Sequence, residues 1–242
     1  AICSARGLAE GLAGVAEDER YSRDLCSYFR IDLGSQLSGR TPLGRHVAPD
    51  LVVASNNICG TVQSWFRLTA EHFGVPYLFL DTPYSDGPPS PTDVAYVQDQ
   101  VVDIAKEAAR IARTRYDERR IAAVVGRSVE ALRLWREILD TARARPAPFS
   151  SFDAFVHMAP IVSLRGTRRC VWYYRALLEE LKLRAAAGDA AVPDERARVV
   201  WDNIAIWPAH RELKRLFKEH GVAMVADTYT GAWSSEHLDP SD

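Results

Sequence analysis

The sequence predicts an α/β protein, and three observations carry that prediction. Segments with apolar residues at helical spacing alternate with short runs rich in β-branched residues. Two of those runs are joined by a helix-like stretch within about 30 residues, the length of a βαβ unit. The same strand, helix, strand order begins again near the end of the chain. The whole therefore reads as a parallel-sheet lobe, a helical middle segment and the beginning of a second α/β lobe.

In chain order, residues 5–19 are compatible with helix. Leu51-Val52-Val53-Ala54 is a continuous apolar run, as in a buried strand, and Ser55-Asn56-Asn57 supplies the polar turn and helix cap after it. Residues 58–73 place Val62, Trp65, Phe66, Ala70 and Phe73 at helical spacing, and Gly74 stops them. Val75-Pro76-Tyr77-Leu78-Phe79-Leu80 is the next strand, ending in Asp81-Thr82-Pro83, and this unit makes the first lobe Rossmann-like. Asp86-Gly87-Pro88-Pro89-Ser90-Pro91 is a loop, because its prolines and glycine oppose both ladder and helix.

Thr92 is expected to cap a long helix with the stripe Val94, Val97, Val101, Ile104, Ala108 and Ile111. A second amphipathic helix runs from Ser128 through Val129, Leu132, Trp135, Ile138 and Leu139. Pro146 and Pro148 interrupt 144–149, and 152–162 and 167–187 read as two further helices, the latter ended by Gly188. Residues 197–201 are strand-like, Pro208 fits a helix first turn, and Leu213, Leu216 and Phe217 mark one face of that helix. Val222-Ala223-Met224-Val225-Ala226 is a buried strand leading into Asp227-Thr228-Tyr229-Thr230. The expected divisions are 1–125, 126–195 and 196–242.

Composition narrows the function classes. The chain has 242 residues, 47% hydrophobic and 26% charged, enough apolar material for one large domain or two small ones and too much for disorder. Thirty Lys and Arg against 32 Asp and Glu leave a net charge of −2 with no long basic block, which argues against a nucleic-acid partner. No apolar run reaches the roughly 18 residues of a membrane span, and no signal peptide is legible, so the cytoplasm is the expected location. The chain starts at Ala1 rather than Met, inside a helix-compatible stretch, and is read as a fragment.

Chemistry is expected outside the carboxyl ends of parallel strands. Cys59 follows Asn56-Asn57-Ile58 at a helix start, where the macrodipole and free N–H groups favour a thiolate; a lone cysteine is also commonly a small buried hydrophobe. The reading as a small buried hydrophobe applies to Cys26 too, and the wide spacing between positions 26 and 59 is no zinc-finger or ferredoxin pattern. Walker, zinc-protease and nucleophile-elbow motifs are absent. Asp81, Asp202 and Asp227 lie near strand ends, where an Asp serves as turn former or cap as readily as in catalysis. His210 and His220 read as surface residues, Trp172-Tyr173-Tyr174 as core, and Arg168 and Arg169 as solvated.

Four ordered motifs add a family. Cys26-Ser27-Tyr28-Phe29-Arg30-Ile31-Asp32-Leu33-Gly34, Ala54-Ser55-Asn56-Asn57-Ile58-Cys59, Asp202-Asn203-Ile204-Ala205-Ile206-Trp207 and Ala226-Asp227-Thr228-Tyr229-Thr230 together resemble the 2-hydroxyacyl-CoA dehydratase and benzoyl-CoA reductase family. The resemblance implies a heterodimer in which each subunit holds a 4Fe-4S cluster through three cysteines. On it, Cys26 and Cys59 are two metal ligands, and the third is not found, since no cysteine follows Cys170. Cys170 matches no ligand motif and Cys3 is not assigned to the cluster; truncation is the simpler account of the missing ligand.

It also implies Ser27, Asn56 and Asn57 as donors of hydrogen bonds around the cofactor, and Asp227 and Thr228 beside an acyl-CoA substrate. In the family a separate ATP-dependent activator injects one electron, the thioester becomes a ketyl radical anion that expels its hydroxyl group, and the electron is recovered. Benzoyl-CoA reductases deliver electrons to an aromatic ring instead. The short chain leans towards the smaller, electron-relaying subunit, and the isolated chain is expected to be inactive. A degenerate partner subunit without a complete cluster is the non-enzyme alternative.

Overall fold

The structure, a computed structural model, describes residues 2–234. It divides into two compact units that meet between Tyr116 and Asp117 in the sequence.

The first unit opens with a single turn, α1 (Ile2–Ala5), and α2 (Ala9–Asp18), which packs along α3 (Ser27–Ser38). The approach is close: a methyl group at Gly34 would lie 1.8 Å from the Leu12 carbonyl oxygen, so only glycine fits there. A short antiparallel ribbon, β1 (Arg40–Thr41) with β2 (Gly44–Arg45), follows. The expected βαβ unit is present as β3 (Val52–Ser55), α4 (Gly60–Phe73) and β4 (Tyr77–Leu80), with the two strands parallel. β4 starts two residues later than expected because Pro76 has no N–H, although its carbonyl still accepts from Val52 N at 3.0 Å. Gly74 ends α4 in the left-handed conformation at φ 63°.

The long helix α5 (Pro91–Ile111) corrects one expectation. Its cap is Ser90, in a reciprocal capping box with Asp93, and not Thr92. Pro91 is the first helical residue, where a missing N–H costs nothing. The predicted stripe is present in the sequence but no residue of α5 is fully buried, and Val94 and Val101 are about half exposed at 51% and 48%.

The second unit holds the larger core. Its first helix, α6 (Glu118–Asp140), begins ten residues ahead of the expected Ser128, because its opening turns, with Ile121, Val124 and Val125 exposed, show no core-facing stripe. The predicted helix over 152–162 is two, α7 (Ser151–His157) and α8 (Ala159–Ser163). Pro160 cannot donate back to the preceding turn, and the chain bends at Met158. α9 (Arg168–Ala187) matches its prediction, with Thr167 as cap and Gly188 left-handed after it. Trp135, Ile138, Ile161, Tyr174 and Leu181 are almost fully buried between these helices. Trp172, expected in the core, is 71% exposed, since its helical position points it away from the Tyr174 face.

β5 (Ala197–Trp201) pairs in parallel with β6 (Val222–Asp227), with an irregularity between Val199 and Val200. A 3-10 turn over Trp207–Ala209 leads into α10 (His210–Glu219), and α11 (Thr228–Gly231) follows β6. Residues expected in the helical middle segment and in the second α/β lobe share a core here: Phe152 and Phe155 of α7 pack on Met224 of β6. No helix among the described residues is long and apolar enough to cross a membrane.

Candidate functional site

Each of the two predicted ligand cysteines caps a helix of the first unit. Cys26 precedes α3 with φ −47° and ψ 129°, and Cys59 precedes α4 with φ −60° and ψ 148°. Both are extended residues handing over to a helix, both thiols are exposed, and neither side chain bonds to its own helix. Their carbonyls accept the opening helical bonds, from Arg30 N at 3.1 Å and Val62 N at 3.0 Å. No acidic residue lies in the first turn of α3 or α4, so the positive ends of the two helix dipoles are not locally offset. The alternative of a small buried hydrophobe is corrected for both residues.

The two helices run in the same direction. Phe29 meets Trp65 edge to face at 6.1 Å, Asp32 accepts the Trp65 indole N–H at 2.8 Å, and Gln36 donates to Thr69 at 2.9 Å. Both hydrogen-bonded pairs are separated by 33 residues, the same separation as Cys26 and Cys59. The cysteines therefore occupy equivalent levels at the starts of two parallel, packed helices. Sequence reasoning misses Asp32, Trp65, Gln36 and Thr69; the signal that could reveal them is this common offset.

The remaining predicted residues are placed as follows. Ser27 is the exposed first residue of α3 and lines a groove of about 480 Å³ between α2 and α3. In the same groove Glu17 bonds Arg23 at 2.6 Å and Arg30 at 2.5 Å, and the hydrogen bond from Arg23, together with both arginine charges, holds the Glu17 carboxyl below its usual range. Asn57 is exposed and accepts from the Ser55 hydroxyl.

Asn56 serves a different purpose. Its amide nitrogen donates to the Asp81 carboxylate and to the Thr82 carbonyl at 3.1 Å, and its oxygen accepts from Thr82 N at 2.7 Å and Thr82 Oγ1 at 2.6 Å. Both amide hydrogens are thus engaged in joining the ends of β3 and β4, which leaves none for a sulfur ligand. Tyr96 and Gln100 of α5 complete the network, the Tyr96 hydroxyl donating to Asp81 at 2.9 Å. That bond, reinforced by the Asp81 charge, raises the Tyr96 phenol.

In the second unit Asp227 is buried and acts as a helix cap. Its carboxylate receives Thr230 N and Thr230 Oγ1, each at 2.6 Å. Thr228 donates to Asp202 at 2.9 Å and accepts from Asn203 N at 2.8 Å. A cavity of about 370 Å³ is lined in part by Ser150, Ser151, Arg198 and Asp227. Arg198, one of its charged groups, is turned to the chain and donates to the carbonyls of Ala142, Arg143 and Ala144. Cys170 is buried, with its thiol 3.5 Å from the Pro160 carbonyl, and burial pushes it up.

His210 is not a surface residue. It sits among Phe152, Phe155 and Trp207, the last stacked at 5.9 Å, and its Nδ1 is buried without a hydrogen-bond partner. Burial lowers its imidazole, reinforced by the Lys214 charge. His220 is exposed as expected. Among the described residues no group of three or more His, Cys, Asp or Glu is arranged to hold a metal ion. The thiols of Cys26 and Cys59 nevertheless fit two positions of a thiolate-ligated cluster: exposed, unengaged, at one level, and at the positive ends of two helices.

A family model described as 2-hydroxyglutaryl-CoA dehydratase, D-component, matches residues 1–242, and the chain belongs to that family. It is 29% identical over 235 residues to the (R)-phenyllactyl-CoA dehydratase alpha subunit of Clostridium sporogenes, covering 96% of this chain and 58% of that one. It is 27% identical over 239 residues to the (R)-2-hydroxyisocaproyl-CoA dehydratase alpha subunit of Clostridioides difficile, covering 98% and 58%. It is 28% identical over 236 residues to a benzoyl-CoA reductase subunit of Thauera aromatica, covering 91% and 54%. The chain thus spans less than two thirds of the length of these relatives. Chain length therefore does not distinguish the members of a subunit pair, and shortness no longer favours an electron-relaying role.

Proposed function

We propose that this chain is the cysteine-bearing part of a 2-hydroxyacyl-CoA dehydratase subunit, with Cys26 and Cys59 as two thiolate ligands of a 4Fe-4S cluster. The observation that carries the reading is the pair of exposed cysteines at the same level of two parallel helix starts, in a chain matched over its whole length by the dehydratase family. When bound, such a cluster supplies one-electron transfer at low potential.

The chain's own residues do the holding. Cys26 and Cys59 provide sulfur; the N–H groups that open α3 and α4 offset negative charge; Ser27 and Asn57, exposed and within two residues of a cysteine in the sequence, supply donors to sulfur in this reading. Asn56 acts indirectly, by fixing the turn after β3 that leads to Cys59. The overall reaction is loss of water from a 2-hydroxyacyl-CoA thioester without net redox change. It requires a second homologous subunit and a separate ATP-dependent electron donor. The relatives are themselves named as subunits, which supports a multi-subunit assembly, and a CoA thioester substrate favours the cytoplasm as its location. Asp227 and Thr228 enter as supports of the second unit's fold, since their polar atoms are engaged within the chain.

The similarity to the benzoyl-CoA reductase subunit, 28% identical against 29% for the first dehydratase but over a smaller share of both chains, supports a second reading in which the electron acceptor is an aromatic thioester. The test is anaerobic expression with iron and sulfide quantification, followed by assay with a partner subunit and activator on 2-hydroxyacyl-CoA and on benzoyl-CoA. Iron bound by the chain and lost in Cys26→Ala and Cys59→Ala is the expected result. Iron content unaffected by both substitutions overturns the ligand assignment, and a chain that binds no iron overturns the cofactor reading for this chain.

A further inference from the structure

We infer that Asp32 is a positioning residue that locks α3 and α4 in register, so that Cys26 and Cys59 act as one bidentate pair of thiols. The inference deepens the ligand reading above and rests on it for its consequence in the assembled protein. Asp32 and Trp65 each lie six positions beyond the cysteine that opens their helix, and Gln36 and Thr69 each lie ten beyond. One carboxylate oxygen, Asp32 Oδ2, takes the Trp65 indole N–H at 2.8 Å and the Gln36 amide at 2.6 Å; the same amide reaches Thr69 Oγ1 at 2.9 Å. Thr69 in turn donates to the Trp65 carbonyl at 3.0 Å, closing the network on α4.

Apolar packing such as Phe29 on Trp65 is non-directional and tolerates sliding. An indole N–H aimed at a carboxylate does not, because the donor is single and the bond is charge-assisted. Gln36 shows which bond the network favours. Its amide is turned to donate to Asp32 and Thr69, and its oxygen is left buried without a partner. A slip of one residue would displace one thiol against the other by about 1.5 Å. Metal–ligand bonds tolerate only about 0.2 Å. Equal arms from the clamp to each cysteine are what a shared ligand pair needs.

The test uses the full 242-residue chain without iron, in a Cys3→Ser background, with phenylarsine oxide as a probe that binds two neighbouring thiols at once. One arsenic per chain is expected, protecting both Cys26 and Cys59 from alkylation as read by mass spectrometry. Asp32→Ala and Trp65→Phe are expected to weaken that capture by about tenfold or more, since each removes the charged hydrogen bond from α4 to α3, and Asp32→Ala the bond from Gln36 as well. Asp32→Asn, whose amide oxygen still accepts from the indole but without the charge, should fall between the parent and Asp32→Ala. Alkylation of each thiol by a monofunctional reagent should not change, which separates lost register from lost folding. If Asp32→Ala does not fold, Trp65→Phe carries the test, since it keeps an aromatic ring and removes the N–H.

Failure of the parent chain to capture arsenic through both thiols overturns the inference, as does undiminished capture by a folded Asp32→Ala or Trp65→Phe chain. Capture of arsenic by a parent chain that takes up no iron supports the clamp and sinks the cofactor reading alone.

Discussion

Within residues 2–116 the helices that carry the cysteines meet through two directed hydrogen bonds beside a small apolar cluster, in which Trp65 and Leu68 pack against Ala16, Phe29 and Leu33. Within residues 117–234 the helices meet through Trp135, Ile138, Ile161, Tyr174 and Leu181, nearly devoid of solvent contact. The polar groups differ in the same sense. In the second unit Asp227, Thr228, Arg198 and Tyr174 bond to their own chain, Tyr174 receiving Ile161 N at 3.0 Å. In the first unit two thiols at helix starts are exposed and unengaged. The second unit carries the larger apolar core, and the first leaves two thiols exposed at helix starts.

The largest effect expected from breaking this contrast is in the second unit. Trp135→Ala removes a fully buried ring and its 3.1 Å bond to the Thr230 carbonyl, and should cost about 3–5 kcal/mol. Hydrogen exchange should then accelerate across α6 and α9 while amides of α3 and α4 keep their protection; equal acceleration everywhere would mean that the units unfold as one. Gly34→Ala is the matching lesion in the first unit. Its new methyl would overlap the Leu12 carbonyl, and overpacking of this kind costs about 1–3 kcal/mol, to be read by denaturant unfolding.

A smaller loss is expected for Asp227→Ala. Removing a helix cap costs about 1 kcal/mol, and a much larger loss of activity in the assembled enzyme at unchanged stability would instead return Asp227 to the substrate site.

The pH response of the second unit follows from His210. Burial depresses its folded-state imidazole below the ordinary 6.5, so between that folded value and 6.5 the unfolded chain holds more protons. Stability is therefore present above 6.5 and is lost as pH falls through that window. His157, also depressed by burial, adds to the same slope. Asp153 acts in a lower range. Burial raises its carboxyl, but the hydrogen bonds from Lys214 and Ser150 and the Lys214 charge outweigh it, so its contribution is lost only as pH falls below the ordinary 3.8. Thermal melts from about pH 7.5 to about pH 5, which bracket the histidine range, should show a shallower decline for His210→Phe than for the parent chain.

The smallest stability effect belongs to the proposed ligands. Cys26→Ser and Cys59→Ser, both exposed, should change stability by no more than about 0.5 kcal/mol while abolishing stoichiometric iron. A large destabilisation of the iron-free chain would assign these cysteines a structural role.

Much of this organisation is legible in the residues. Gly74 and Gly188 end their helices as read, the two parallel strand pairs fall within the short apolar runs read as strands, and the four motifs lead to the family that the whole chain matches. Helix beginnings are less legible. Ser90 is hidden as a cap because Pro91 beside it looks like a breaker, and α6 extends ahead of Ser128 because exposed opening turns carry no periodic signal. His210 looks like a surface residue in sequence because its aromatic surroundings come from segments far apart along the chain.

By itself, the sequence determined the α/β class and the position of Cys59 at a helix start, because capping, periodicity and helix termination are local properties of a few neighbouring residues, whereas the helix that Cys26 opens was shown by the structure. Tertiary structure alone decided which polar groups were available. Asn56, Asp227 and Thr228 look alike in sequence as strand-end polar residues, yet each is engaged by a partner that the fold brings to it. The common level of the two thiols was likewise settled by packing: the parallel docking of α3 on α4, held by Asp32 on Trp65, turns a wide sequence spacing into a matched pair.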